Sequence, residues 1–165
     1  MATTVLWTVF GPEWEATIQA LRTADNELAD WIREEMEEAI RPAADRAKAK
    51  VMTVGVIGGP EGHTGMRARV AQGVGVRVGP YRHRNGAYFR VFTSMKEEDE
   101  WIIPRGLDRA RGWRHPLFGD KRYWYTSRPT FTGWFTDTIA DSRDEIARNI
   151  QDALERAAEL IDAAS

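Results

Sequence analysis

The chain has 165 residues, a formal net charge of -2 and no cysteine. That length suits one domain able to bury roughly two thirds of its unfolded surface. The lack of cysteine excludes disulfide frameworks, thiolate zinc sites, iron–sulfur clusters and cysteine nucleophiles. Charge is unevenly spread: residues 1–50 balance to -4, residues 51–135 to +7 and residues 136–165 to -5. A basic middle between acidic ends suits head-to-tail stacking of identical subunits or a surface turned toward a polyanion. Solvated helix faces beside an arginine-rich sheet give the same balance.

The opening MATTVLWTVFGP has a short apolar run, Val5 to Phe10, with no basic leader, and Pro12 ends it. It is too short for a signal peptide or a membrane span, so the expectation is a soluble protein that stays in the cell where it is made. Gly11-Pro12-Glu13 reads as a helix start, with proline at the first helical position and acids near the positive end of the dipole. The first helical stretch is predicted to run to about Thr23. From Asp25, the residues Leu28, Trp31, Ile32, Met36 and Ile40 recur at helical spacing, with glutamates 34, 35, 37 and 38 on the other face. Pro42 is expected to kink this helix or to begin a new one through Ala43, Ala44, Ala47 and Val51.

Residues 53–65, TVGVIGGPEGHTG, hold five glycines and a proline and read as a loop. No lysine and hydroxyl residue follow the glycine pair as a phosphate-binding loop requires. Period-two alternation comes next, with Met66, Ala68 and Val70, then Val74, Val76 and Val78, opposite Arg67, Arg69 and Arg77. Asn85-Gly86, between VRVGPYRHR and AYFRVF, is a hairpin signal. A charged loop, KEEDE at 96–100, leads to Trp101-Ile102-Ile103. At the end of the chain Ser142 and Glu145 form a capping-box pattern, and Ile146, Ile150, Leu154, Ala157 and Ile161 one apolar stripe. The expected architecture is α+β, a small antiparallel sheet packed against N-terminal and C-terminal amphipathic helices. The single domain is helical over 11–52, a glycine-rich loop over 53–65, sheet over 66–103, an aromatic interface loop over 104–135 and a C-terminal helix over 137–162.

Catalytic chemistry finds little footing. His63, His83 and His115 form no HExxH-type pair, there is no GxSxG elbow, and the acids at 97–100 read as a solvated run. An irregular site around His115 and Asp120 is the one enzymatic arrangement available, and no substrate suggests itself. The aromatic residues carry the remaining signal. Nine of the chain's seventeen lie in residues 101–135, interleaved with Arg105, Arg109, Arg111, Arg114, Lys121, Arg122 and Arg128. Such a mixture stacks bases of single-stranded nucleic acid, with Trp113, Tyr123 and Trp124 as platforms. It equally marks the centre of protein interfaces, and some of these rings must also serve the core.

The segments IPRGLDRARGWRHPLFG and RYWYTSRPTFTGWFTDTI, followed by a terminal amphipathic helix, resemble the minor tail or tail-completion proteins of long-tailed bacteriophages, the head-to-tail joining family. The matching residues are Arg114, His115, Pro116, Phe118 and Gly119, then Trp124, then Pro129, Phe131, Gly133, Trp134 and Phe135. The acidic N-terminal helix, the VLWTVF start and the KEEDE loop depart from that pattern. The resemblance implies a non-enzymatic virion protein without cofactor or metal, made in the bacterial host cytoplasm. It would form a homo-oligomeric ring of six subunits at the head-to-tail interface, between a neck or connector protein and the tail-tube protein. The expected subunit or partner interface is Trp113, Arg114, His115, Pro116, Phe118, Trp124, Phe131, Trp134 and Phe135. Arg67, Arg69 and Arg77, on one sheet face, are the expected contacts to passing DNA, binding phosphates without reading sequence.

Overall fold

A computed structural model describes residues 4–8, 26–58, 65–80, 87–117 and 120–163. The predicted first helix, the Asn85-Gly86 turn, His63, His83, Phe118 and Gly119 lie outside them. The fold is α+β. Its elements run β1 (Thr4–Thr8), α1 (Asn26–Thr53), β2 (Val56–Ile57), α2 (Met66–Gln72), β3 (Val74–Pro80), β4 (Ala87–Thr93), a 3-10 turn (Glu98–Glu100), α3 (Ile103–Asp108), β5 (Trp113–Leu117), β6 (Asp120–Pro129), α4 (Thr136–Asp141) and α5 (Arg143–Ala163). The strands form two sheets, ordered β1-β4-β3 and β2-β6-β5. Strands β3 and β4 are neighbours joined by six residues, too few for a parallel crossover, so they form an antiparallel hairpin.

Contacts group the chain into two compact units, one built chiefly from Ala44–Gly75 and Phe92–Asp141, the other from Val5–Ala43, Val76–Val91 and from Ser142 onward. In the second unit the core is Ile32, Met36, Ala39 and Ile40 of α1, Val78, Phe89 and Val91 of the hairpin, and Ile146, Ile150, Ala153 and Ala157 of α5. Polar groups fasten α1 to its neighbours there. Asn149 donates to the Ala39 carbonyl at 3.1 Å, Arg156 pairs with Glu35 at 3.0 Å, and the Val78 N–H donates to Glu37 at 3.2 Å.

In the first unit Ala44, Ala47, Val51, Val54, Val70, Leu107, Trp134, Phe135 and Ile139 are buried. Asp108, itself buried, organises the start of α4: its carboxylate accepts from the Phe135 N–H at 2.8 Å, the Thr136 N–H at 3.3 Å and the Thr136 hydroxyl at 2.8 Å. Gly133 and Gly112 supply positive φ, 72° and 68°. A Cβ on Gly112 would run into the Ser127 carbonyl oxygen, so the chain can pass β6 only as glycine.

Several expectations are corrected. Residues 66–72 are helix, not strand. Met66 and Val70 sit four apart as well as alternating, a short run that either period fits. Gly65, at φ 68°, opens that helix and Gly73 ends it. The sheet also stops short of 103, since β4 ends at Thr93 and Ile103 begins α3. Helix α1 continues through Pro42, so no new helix begins there. Pro42 lies on its exposed side, where water can satisfy the carbonyl that the missing N–H leaves open. The glycine-rich segment contains strand β2, paired antiparallel to β6 as Val56↔Pro129 and Ile57↔Arg128. The interval 104–135 is a helix and a hairpin, not a loop. The C-terminal helical region is two helices meeting at buried Ser142, whose carbonyl accepts from Ile146 at 2.9 Å.

Candidate functional site

The hairpin of β5 and β6 carries the densest exposed aromatic surface of the described chain. The two strands pair antiparallel as Trp113↔Ser127, Arg114↔Thr126, His115↔Tyr125 and Pro116↔Trp124, with an irregularity between Pro116 and Leu117. Opposed residues share a sheet face. One face therefore holds Trp113, His115, Tyr123, Tyr125 and Ser127, and the other Arg114, Pro116, Arg122, Trp124, Thr126 and Arg128.

The first face begins in the core and ends in solvent. At its base Trp113 and Ser127 are buried. His115 continues the row, its ring centroid 6.5 Å from Trp113 and 6.2 Å from Tyr125. Its Nε2 lies 3.0 Å from the Ser127 hydroxyl, which donates to the Gly58 carbonyl at 3.0 Å. This chain ties β5 through β6 to the end of β2. The Ser127 hydroxyl is committed to a carbonyl and sealed from solvent, so the pair is a strut and not an activated nucleophile.

The second face is open along its length. Ile57 of β2, 63% exposed, continues it beside Arg128. Trp124 is 51% exposed, with the Arg114 guanidinium 5.5 Å from its ring centroid. From Lys121 to Thr126 six successive residues of β6 are exposed, so the outer part of the hairpin is wet on both faces. Its tip is held by Asp120, which accepts from Arg122 at 2.7 Å and 3.0 Å. The side-chain bond from Arg122, then that residue's backbone N–H, hold the Asp120 carboxyl below its ordinary range. Between 111 and 128 the chain carries five cations and this one acid.

The predicted interface residues thus divide. Arg114, His115, Pro116 and Trp124 lie together on the hairpin, Arg114 and Trp124 exposed and the other two half-buried. Trp113, Trp134 and Phe135 belong to the core, at 7%, 0% and 0% exposure, and are not surface anchors. The Trp134 ring meets Phe135 edge-on at 5.4 Å and donates to the Pro104 carbonyl at 3.4 Å. Apolar area of that size is worth more inside than at a rim. Phe131 is half-buried, with the Lys50 ammonium 5.7 Å from its ring centroid.

The expected DNA-facing arginines share no sheet face. Arg67 and Arg69 stand on α2, and only Arg77 on β3. Arg67 donates to the Val54 carbonyl at 2.8 Å and Arg69 pairs with Glu100 at 2.5 Å, so both are engaged within the chain. Sequence reasoning left Tyr125, Ile57 and Arg122 out of the site. The signal for Tyr125 was present: three rings at consecutive strand positions cannot share one face.

Among the described residues no group of three or more His, Asp or Glu side chains is placed to hold a metal ion, and no helix is long and apolar enough to cross a membrane. Comparison with protein-family models, curated proteins and solved structures gave no match.

Proposed function

We propose that this chain is a structural assembly subunit, a ring-forming component of a tailed-phage virion at the head-to-tail interface. In this reading the β5–β6 hairpin is its docking arm. The observation that carries the reading is the outer hairpin, where Tyr123, Trp124 and Tyr125 are 62%, 51% and 45% exposed on a ribbon wet on both faces. A two-stranded ribbon is marginal alone in water, and tyrosine, tryptophan and arginine dominate the energetics of protein interfaces. The resemblance of RHPLFG and PTFTGWF to the head-to-tail joining family supplies the setting. No cofactor and no catalysis enter this role.

The test is assembly by a Tyr123→Ser, Trp124→Ala, Tyr125→Ser variant. Loss of a central anchor costs about 2 kcal/mol or more of binding, roughly thirtyfold in affinity. The variant should stay folded and stop assembling; normal assembly would remove the arm from the account.

The pairing of Arg114 with Trp124 favours one second reading, a single-stranded nucleic-acid platform in which bases stack on exposed rings beside cations. Titration of fluorescent oligonucleotides at two salt concentrations tests it. Micromolar, salt-sensitive binding lost in Trp124→Ala supports this reading, and binding indifferent to Trp124 leaves only general charge attraction.

A further inference from the structure

We infer that the Arg114–Trp124 face of the arm docks on α5 of a second copy of this chain. The inference rests on the self-assembly reading above and names the surface that receives the arm. It uses two surfaces, each complete within one compact unit.

The first is cationic. Arg114, Arg128, the exposed ring of Trp124 and the exposed aliphatic side chain of Ile57 share one face. The row from Arg122 to Arg128 spans six residue steps, about 20 Å at strand rise. Asp120, two residues before Arg122 in β6 and so at the tip of this same face, is the one carboxylate among its described residues, and it is taken up by Arg122.

The second is acidic and unspent. Asp144, Arg148, Asp152, Glu155 and Glu159 of α5 are all exposed. At 3.6 residues per turn they fall within about 80° of arc, nearly opposite the buried stripe of Ile146, Ile150, Ala153 and Ala157. From Asp144 to Glu159 the stripe is about 22 Å long at helix rise, the length of the cationic row. Asp144, Asp152 and Glu159 have no ion-pair partner among the described residues, and Glu155 meets only the Gln151 amide.

Helix α1 is the competing acidic surface, and all but Glu34 of its acids from Asp30 to Asp45 are occupied. Asp30 pairs with Arg33, Glu35 with Arg156, Glu38 with Arg41 and Asp45 with Lys48, while Glu37 accepts from a strand N–H. Docking there would exchange existing pairs for new ones. Docking on α5 creates pairs where none stand. The contact joins unlike patches, so it propagates from copy to copy and closes a ring if the rotation allows.

Reciprocal charge reversal tests the assignment. Four proteins are compared by sedimentation and light scattering: wild type, Arg114→Glu/Arg128→Glu, Asp152→Arg/Glu155→Arg/Glu159→Arg, and a chain carrying both sets. Every substituted side chain is exposed, and circular dichroism checks folding. Each single set should raise the concentration for half-assembly at least about tenfold, by putting like charges in contact. The combined chain, and an equimolar mixture of the two single-set proteins, should return to within about threefold of wild type.

Assembly of the helix-reversed protein at the wild-type concentration would overturn the inference while leaving self-assembly intact, and so would failure of the mixture to recover. A wild type that stays monomeric at every concentration would instead overturn the self-assembly reading, and the inference with it. Growth of the wild type only after adding single-stranded DNA would assign the face to nucleic acid and overturn the docking.

Discussion

The Arg114 guanidinium stands 5.5 Å from the centre of the Trp124 ring, diagonally across β5 and β6 on an open sheet face. Neither side chain is buried, so the pair adds little to folding; an exposed cation–π contact is worth about 0.5–1 kcal/mol. Trp124→Ala should change unfolding free energy by no more than about 1 kcal/mol, read from the urea midpoint at unchanged slope. A large destabilisation would make Trp124 a packing residue and leave the arm without its anchor.

Trp134 is the opposite case despite its equal place in the sequence motif. It is fully buried against Phe135 and bonded to the Pro104 carbonyl. Trp134→Ala should cost about 3–5 kcal/mol of stability, measured by the same urea titration. Near-wild-type stability would mean that the ring is not packed as described.

Asp108 governs the entry to α4 from a distant point in the chain. Replacing it with alanine leaves the buried Phe135 N–H without its acceptor, a loss of about 1–3 kcal/mol. Asp108→Asn, which keeps one carbonyl oxygen, should lose less. Equal stability of both variants and wild type would contradict the capping role.

The arm tip should respond to acid. Asp120 is held below its ordinary value of 3.8 by Arg122, so its contact is fully present above that value and disappears as pH falls through the lower folded-state value. A carboxyl-carbon NMR titration should place the Asp120 midpoint below 3.8, and Arg122→Ala should return it to the ordinary range. A midpoint unchanged by that substitution would remove Arg122 as the cause.

Helices α1 and α5 were legible because Ile32, Met36 and Ile40, and Ile146 and Ile150, keep helical spacing over several turns with a polar opposite face. Val74, Val76 and Val78 with Ala87 to Thr93 were legible as strands because alternation there lasts long enough to exclude a helix. Met66 to Gln72 was not, since seven residues satisfy both periods and Gly65 and Gly73 decided the outcome. Strand β2 was hidden among glycines, because its two residues become a strand only through pairing with Arg128 and Pro129 in a distant segment. The aromatic cluster was found as a cluster, but its division was not. Composition gives Trp113, Trp124 and Trp134 the same weight, and only the register of β5 on β6 and the path of the Asp108 loop separate core ring from exposed ring.

The most direct test of the account is solution mass by light scattering over a concentration series, for the wild type and Trp124→Ala, with and without single-stranded DNA. The account predicts that the 18.8 kDa chain grows to a discrete oligomer whether or not DNA is present, and that Trp124→Ala remains monomeric and folded. A wild-type mass that stays at the monomer value throughout, or rises only on stoichiometric uptake of DNA, would contradict it.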